Sequence, residues 1–246
     1  MRNKIILIQS KKGGIGKSWI TLQLAHGLAF KTKKKILVLT TDKQNDILTF
    51  SGSEATLKRG LEYWLEHLEG DVAELRKNLY YIPLNTIEIS KENLNSKFRP
   101  FLEVLQSKFD YILIDGTPVI ELNDIISEYA TDIVIPTFLD KVTTIGMMEM
   151  IRKFDLDRIR AVIPNRTTSR SSLEKEYYEK LKNSLQKTKI VIACPINQST
   201  IISRLIEKGK TIWDTESKKV ETIKESFNDV IKVIKWKMIF LPIWKN

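Results

Sequence analysis

Residues Lys4–Phe30 read KIILIQSKKGGIGKSWITLQLAHGLAF. Three pieces follow one another in that stretch. Lys4–Gln9 is an apolar, β-branched run of strand length, Ser10–Ser18 is a glycine-rich segment ending in Lys-Ser, and Lys17–Phe30 repeats its apolar residues at helical spacing. This strand–loop–helix order is what a phosphate-binding loop requires. Gly13, Gly14 and Gly16 free the backbone to adopt positive φ and to bring N–H groups against phosphate oxygens at the positive end of the following helix. Lys17 is placed to neutralise β and γ phosphates, and the Ser18 hydroxyl to ligate Mg²⁺. The expected ligands are therefore ATP and Mg²⁺. A glycine-rich turn that binds nothing would not need Gly, Lys and Ser all in register.

Outward from this segment, apolar runs recur at Ile36–Thr40, Leu79–Pro83, Tyr111–Asp115, Asp132–Pro136, Ile159–Ile163 and Lys189–Ala193. Helical patterns intervene at Glu54–Glu69, Lys91–Ser107, Thr144–Phe154, Ser171–Lys187 and Ser217–Lys237, with shorter ones at Glu121–Tyr129 and Thr200–Glu207. Alternating strands and helices predict an α/β fold: a doubly wound, mostly parallel sheet with helices on both faces, the architecture of a P-loop NTPase. No repeat or Gly/Ser-rich linker divides the chain, so residues 1–246 are expected to form a single domain, with 217–246 as a C-terminal helix and aromatic tail. In such a fold the ligand lies at the carboxyl ends of the strands.

Composition narrows the chemistry. One cysteine, Cys194, excludes a disulfide framework within the chain, and two histidines on helical patterns, His26 and His67, suggest no metal cluster. No apolar run reaches the ~20 residues of a membrane span, and Ile5–Ile8 is too short for a signal-peptide core, which predicts a cytoplasmic protein. The net charge of +10 is concentrated: Met1–Thr41 holds nine Lys/Arg and no acid, leaving +1 for everything else. Lys31–Lys35 (KTKKK) is either a solvated patch or a contact for a polyanion.

The loop departs from G-x-x-x-x-G-K-[ST], with Lys11 at its first position and Lys12 before the glycine pair. In this form, K-G-G-x-G-K-[ST], it resembles the deviant phosphate loop of the ParA/MinD family of ATPases. The resemblance implies that Lys12 reaches across an ATP-sandwich homodimer to the partner's nucleotide, and that Ile15 and Trp19 join the loop residues around the nucleotide. Thr41-Asp42-Lys43-Gln44 is similar to the family's D-x-D-P-Q segment, which makes Asp42 the residue that orients the attacking water; Thr40 and Lys43 stand where the family has Asp and Pro. FDYILIDGTP (Phe109–Pro118) resembles a Walker B strand, so Asp115 is expected to hold Mg²⁺ through water. AVIPNRTTSRSSLEKE (Ala161–Glu176) is similar to the segment leading to the adenine site, pointing to Asn165 as a reader of the base edge, with a turn asparagine as an equal alternative. CPINQSTIISRLIEKGKTIWD (Cys194–Asp214) resembles the segment that closes over adenine, implying Pro195 and Asn197 at the nucleotide and Arg204, Lys208 and Lys210 on a DNA-facing surface.

Three branches of that family differ in what they bind. An iron-protein branch needs two cysteines per subunit and is excluded. The remaining match favours a small ParA-type ATPase: nucleoid-associated, binding non-specific DNA, stimulated by a ParB-like centromere-binding protein, and segregating plasmid or chromosomal DNA. A MinD-like membrane-associated ATPase is the alternative, because Val230–Asn246 carries Trp236, Phe240 and Trp244 among lysines. A nucleotide-binding regulatory module with little hydrolysis is a third reading, resting on Thr40 and Lys43.

Overall fold

The computed structural model describes residues 3–41, 44–85, 91–116 and 120–235. Its strands are β1 (Lys4–Ile8), β2 (Ile36–Thr40), β3 (Ala73–Arg76), β4 (Leu79–Ile82), β5 (Tyr111–Asp115), β6 (Asp132–Thr137), β7 (Ile159–Thr167), β8 (Val191–Ile192) and β9 (Ile196–Asn197). They form one sheet in the order β3-β4-β2-β5-β1-β6-β7-β8, with β9 paired to β7. The β3–β4 pair is antiparallel and the other pairs are parallel.

The central strands are apolar on both faces, and their period-two alternation divides the core. Ile5, Leu7, Leu37, Leu39, Ile112 and Ile114 point to one side of the sheet, and Ile6, Ile8, Ile36, Val38 and Leu113 to the other. Helices α3 (Leu61–His67), α4 (Lys91–Lys108), α5 (Ile120–Tyr129), α6 (Lys141–Lys153) and α7 (Ser172–Leu185) cover the first side. Helices α1 (Lys17–Thr32), α2 (Asp46–Ser51), α8 (Thr200–Glu207) and α9 (Glu221–Lys235) cover the second. Trp19 of α1 meets Phe227 of α9 edge to face, with ring centroids 5.9 Å apart.

The expected parallel α/β architecture is present, with local differences. The helix expected over Glu54–Glu69 is confined to Leu61–His67. Gly60 is extended there, the Lys58 and Arg59 N–H groups before it donate to the Asp71 carboxylate instead of to a helix, and Leu61 N–H donates to the Pro83 carbonyl. The helix expected from Thr144 begins at Lys141 because the Asp140 carboxylate caps it, accepting from Thr143 N–H. A single 3₁₀ turn, Lys218–Val220, precedes α9. The aromatic tail after Lys235 lies outside the described residues. For the site, the decisive feature is register: Ile8 of β1 and Thr40 of β2 both pair with Asp115 of β5, so three strands end level beneath the loop that leaves β1.

Candidate functional site

The loop Ser10–Gly16 leaves the carboxyl end of β1 and turns directly into α1. Gly14 has φ 72° and Gly16 φ 84°, left-handed values that a side chain would disfavour. The Ser10 hydroxyl donates to the Lys12 carbonyl at 3.0 Å, closing the loop on itself. Two further donors reach it from the end of β7. Asn165 Nδ2 donates to the Ile15 carbonyl at 2.8 Å, and Arg166 Nη1 to the Gly14 carbonyl at 3.3 Å.

Beneath the loop, the Lys17 ammonium lies 3.8 Å from Asp115 Oδ1, in surroundings where the carboxylate side chain is 1% exposed. The Thr21 hydroxyl, one helical turn after Lys17, donates to the same oxygen at 3.3 Å. Thr41 reinforces the strand end, its hydroxyl donating to the Asp115 carbonyl at 3.1 Å. Lys17, Ser18, Thr21 and Asp115 thus gather a cation, two hydroxyl groups and a carboxylate at one helix N-terminus. This donor set suits a hard cation such as Mg²⁺ that takes most of its ligands from phosphates and water. Among the described residues there is no group of three or more His, Cys, Asp or Glu that could hold a metal ion.

Above the loop opens a cavity of about 940 Å³. The loop from Lys12 to Trp19 forms its base; Asp46 and Phe50 of α2, Asn165 and Arg166 of β7, and Asn197 with Thr200, Ile202, Ser203 and Ile206 of α8 form its walls. The volume suits a nucleoside triphosphate.

Two clusters outside the cavity lining are fixed by charge. Lys11 pairs with Glu149 of α6 at 2.5 Å, and this hydrogen bond and charge hold the Glu149 carboxyl below its usual range. Arg76 joins two walls of the cavity: it donates to Ser51 O at the end of α2, to Gly209 O just after α8, and to both oxygens of Asp214. Burial raises the Asp214 carboxyl, but the Arg76 hydrogen bond and the Thr211 N–H outweigh it and hold that carboxyl low. Beyond Asp214, the Thr211 hydroxyl hydrogen-bonds His26 Nδ1 at 2.6 Å. His26 is buried, and desolvation lowers its pKa to about 4.

The expected residues separate into three groups. Lys12, Gly13, Gly14, Ile15, Gly16, Lys17, Ser18, Trp19, Asn165 and Asn197 all line the cavity, and Asp115 lies under the loop against Lys17. Lys12 is exposed, its ammonium 5.8 Å from the centroid of the Phe138 ring. Pro195 is half-buried and does not line the cavity, whereas Asn197 accepts from the Thr167 hydroxyl at 2.8 Å. Arg204, Lys208 and Lys210 are exposed around the end of α8, outside the cavity lining. Asp42 and Lys43 lie outside the described residues. Sequence reasoning missed Thr21, Arg166 and Arg76. Thr21 was findable from its i+4 spacing to Lys17; Arg76 lies on β3, a short edge strand that carried no clear pattern.

The AAA domain family model AAA_31 matches residues 3–168. An uncharacterized protein of Pseudomonas putida is 25% identical over 164 residues, 60% of this chain and 61% of its own length. The chain therefore spans about 61% of that relative. The chromosome partitioning protein ParA of Myxococcus xanthus is 22% identical over 89% of this chain and 84% of its own, and the septum site-determining protein MinD of Buchnera aphidicola 25% identical over 67% and 60%. Among solved structures, an ATP complex of a Cyanothece McdA variant superposes with TM-score 0.77 at 18% identity, over 97% of this chain and 98% of the other. A plasmid partition protein from Borrelia burgdorferi bound to AMPPNP superposes with TM-score 0.75 at 19% identity, over 95% and 98%. The chain belongs to the AAA domain family matched over residues 3–168 and, within it, to the ParA/MinD family of deviant Walker A ATPases.

Proposed function

We propose that this protein is a ParA-type partition ATPase, a single unit over residues 1–246 that dimerises with ATP and binds DNA without sequence preference. Hydrolysis, stimulated by a ParB-like centromere-binding protein, then releases the dimer, and the cycle segregates plasmid or chromosomal DNA on the nucleoid of a cytoplasmic host compartment. The observation that carries this reading is the exposed Lys12 in the loop that lines the cavity, five residues before the Lys17 that pairs with Asp115. A lysine there is available to a partner's triphosphate, so ATP binds the dimer better than ADP does and acts as its glue. Lys17 and the loop N–H groups hold the phosphates, and Ser18 and Asp115 are the residues that would hold Mg²⁺. That ion would neutralise charge on the phosphates. Asp42 is assigned to orienting water. Arg204, Lys208 and Lys210, doubled by dimerisation, supply a basic surface whose avidity exceeds that of a monomer.

The tail composition supports a second reading. Trp236, Phe240 and Trp244 among lysines suit a MinD-like membrane anchor, although among the described residues no helix is long and apolar enough to cross a membrane. Gel shifts on DNA of arbitrary sequence with ATP, ADP or no nucleotide test the choice, with anionic liposomes in parallel and Lys12→Ala as control. ATP-dependent DNA retention lost in Lys12→Ala is the expected result. ATP-dependent liposome binding without DNA retention would replace the partition reading with the membrane one, and ATP-insensitive behaviour in both assays would leave a binding module with little hydrolysis.

A further inference from the structure

Asn165 and Arg166 are consecutive residues at the end of β7, and they donate to two consecutive carbonyls of the phosphate loop, Ile15 O at 2.8 Å and Gly14 O at 3.3 Å. A peptide group is planar and trans, so its C=O and its N–H point in opposite directions. Holding the Gly14 carbonyl toward β7 therefore turns the Ile15 N–H the other way, and holding the Ile15 carbonyl does the same for the Gly16 N–H. These are N–H groups on which a phosphate cradle depends.

Four further features show that the contact is built into the fold. Asn165 is only 4% exposed. A Cβ on Gly16 would sit 2.5 Å from Asn165 Nδ2, so the glycine is what admits the amide to the loop. Arg166 holds a left-handed backbone, φ 53°, uncommon for a side chain of its size. The next residue, Thr167, anchors the clamp to the adjacent β9 and the residue after it, its hydroxyl donating to Asn197 and its carbonyl accepting from Gln198 N–H.

We infer that Asn165 and Arg166 are positioning residues for the phosphate loop, setting affinity for the polyphosphate chain of any nucleotide and not the choice of base. The inference rests on the nucleotide reading of the loop. It changes the role expected for Asn165, whose amide nitrogen is directed at the loop backbone.

The test compares wild type, Asn165→Ala and Arg166→Lys by isothermal titration calorimetry with ATP, GTP and inorganic tripolyphosphate, each with Mg²⁺. Arg166→Lys keeps the charge and withdraws the Nη1 donor from the Gly14 carbonyl, and because Arg166 is exposed it leaves folding intact. Thermal unfolding checks Asn165→Ala. The expected result is a loss of about tenfold in affinity for ATP and for tripolyphosphate alike in both variants, with the ATP-to-GTP ratio unchanged. Loss of ATP affinity with tripolyphosphate binding retained, or a shifted ATP-to-GTP ratio, would make Asn165 a base reader and overturn the inference. So would wild-type protein that binds ATP but not tripolyphosphate. Wild type that binds none of the three would instead refute the nucleotide reading itself.

Discussion

Lowering the pH from 7 to 5 destabilises this fold through one buried imidazole. His26 lies inside α1, packed toward Thr211, and desolvation carries its pKa from the ordinary 6.5 down to about 4. Because the folded value is depressed, the folded protein keeps the ring neutral while the unfolded chain protonates it as pH falls below 6.5. Protons then bind preferentially to the unfolded state, and the stability held above pH 6.5 is lost progressively down to about pH 4. The whole interval is worth about 3 kcal/mol, and the part crossed between pH 7 and pH 5 about 2 kcal/mol. For a chain of this length that corresponds to roughly 4–8 °C in the unfolding temperature. Thermal unfolding of wild type and His26→Gln at both pH values is the assay. Carboxylates contribute to both proteins, so the difference between the two pH dependences isolates His26. His26→Gln is predicted to lose several degrees less than wild type between pH 7 and pH 5. Equal losses in the two proteins would refute the reasoning.

Other perturbations act on loop backbone, on a packed ion pair and on the charge beneath the loop. Gly16→Ala forces a Cβ against Asn165 at a backbone φ of 84°, and the strain, about 1–2 kcal/mol before the clash is counted, should weaken ATP binding at least tenfold in calorimetry. Arg76→Ala removes the bridge between the end of α2 and the turn after α8 and strips Asp214 of its cation; part-buried as the pair is, chemical denaturation should show a loss of about 2 kcal/mol, and Arg76→Lys, lacking the fork, should recover only part of it. Asp115→Asn removes the charge facing Lys17 and the carboxylate proposed for Mg²⁺, so Mg²⁺ should strengthen ATP binding in wild type and have little effect in the variant.

Much of the fold was legible because its signals are local. Central strands buried on both faces appear as short continuous apolar runs, and those of β1, β2 and β5 were matched almost residue for residue. What escaped was decided by partners distant in sequence. β3 is a four-residue edge strand whose pattern is half exposed, and it exists because β4 pairs with it. The segment before Gly60 has helical composition but is held by Asp71, whose carboxylate accepts from the Lys58 and Arg59 N–H groups. At the site, glycines, Lys17 and Ser18 announce themselves because their chemistry is written in consecutive residues. The clamp from Asn165 and Arg166 is not, since it depends on side chains about 150 positions away meeting main-chain carbonyls, and a carbonyl has no sequence signature.

The measurement that bears most directly on the central claim is sedimentation of the protein with Mg²⁺ and either ATP or ADP, for wild type, Lys12→Ala and Lys17→Ala. Wild type is predicted to dimerise with ATP and not with ADP, Lys12→Ala to bind ATP yet remain monomeric, and Lys17→Ala to lose ATP binding. A Lys12→Ala protein that dimerises with ATP as well as wild type would contradict the proposed switch, and a wild type indifferent to both nucleotides would contradict the account of the loop.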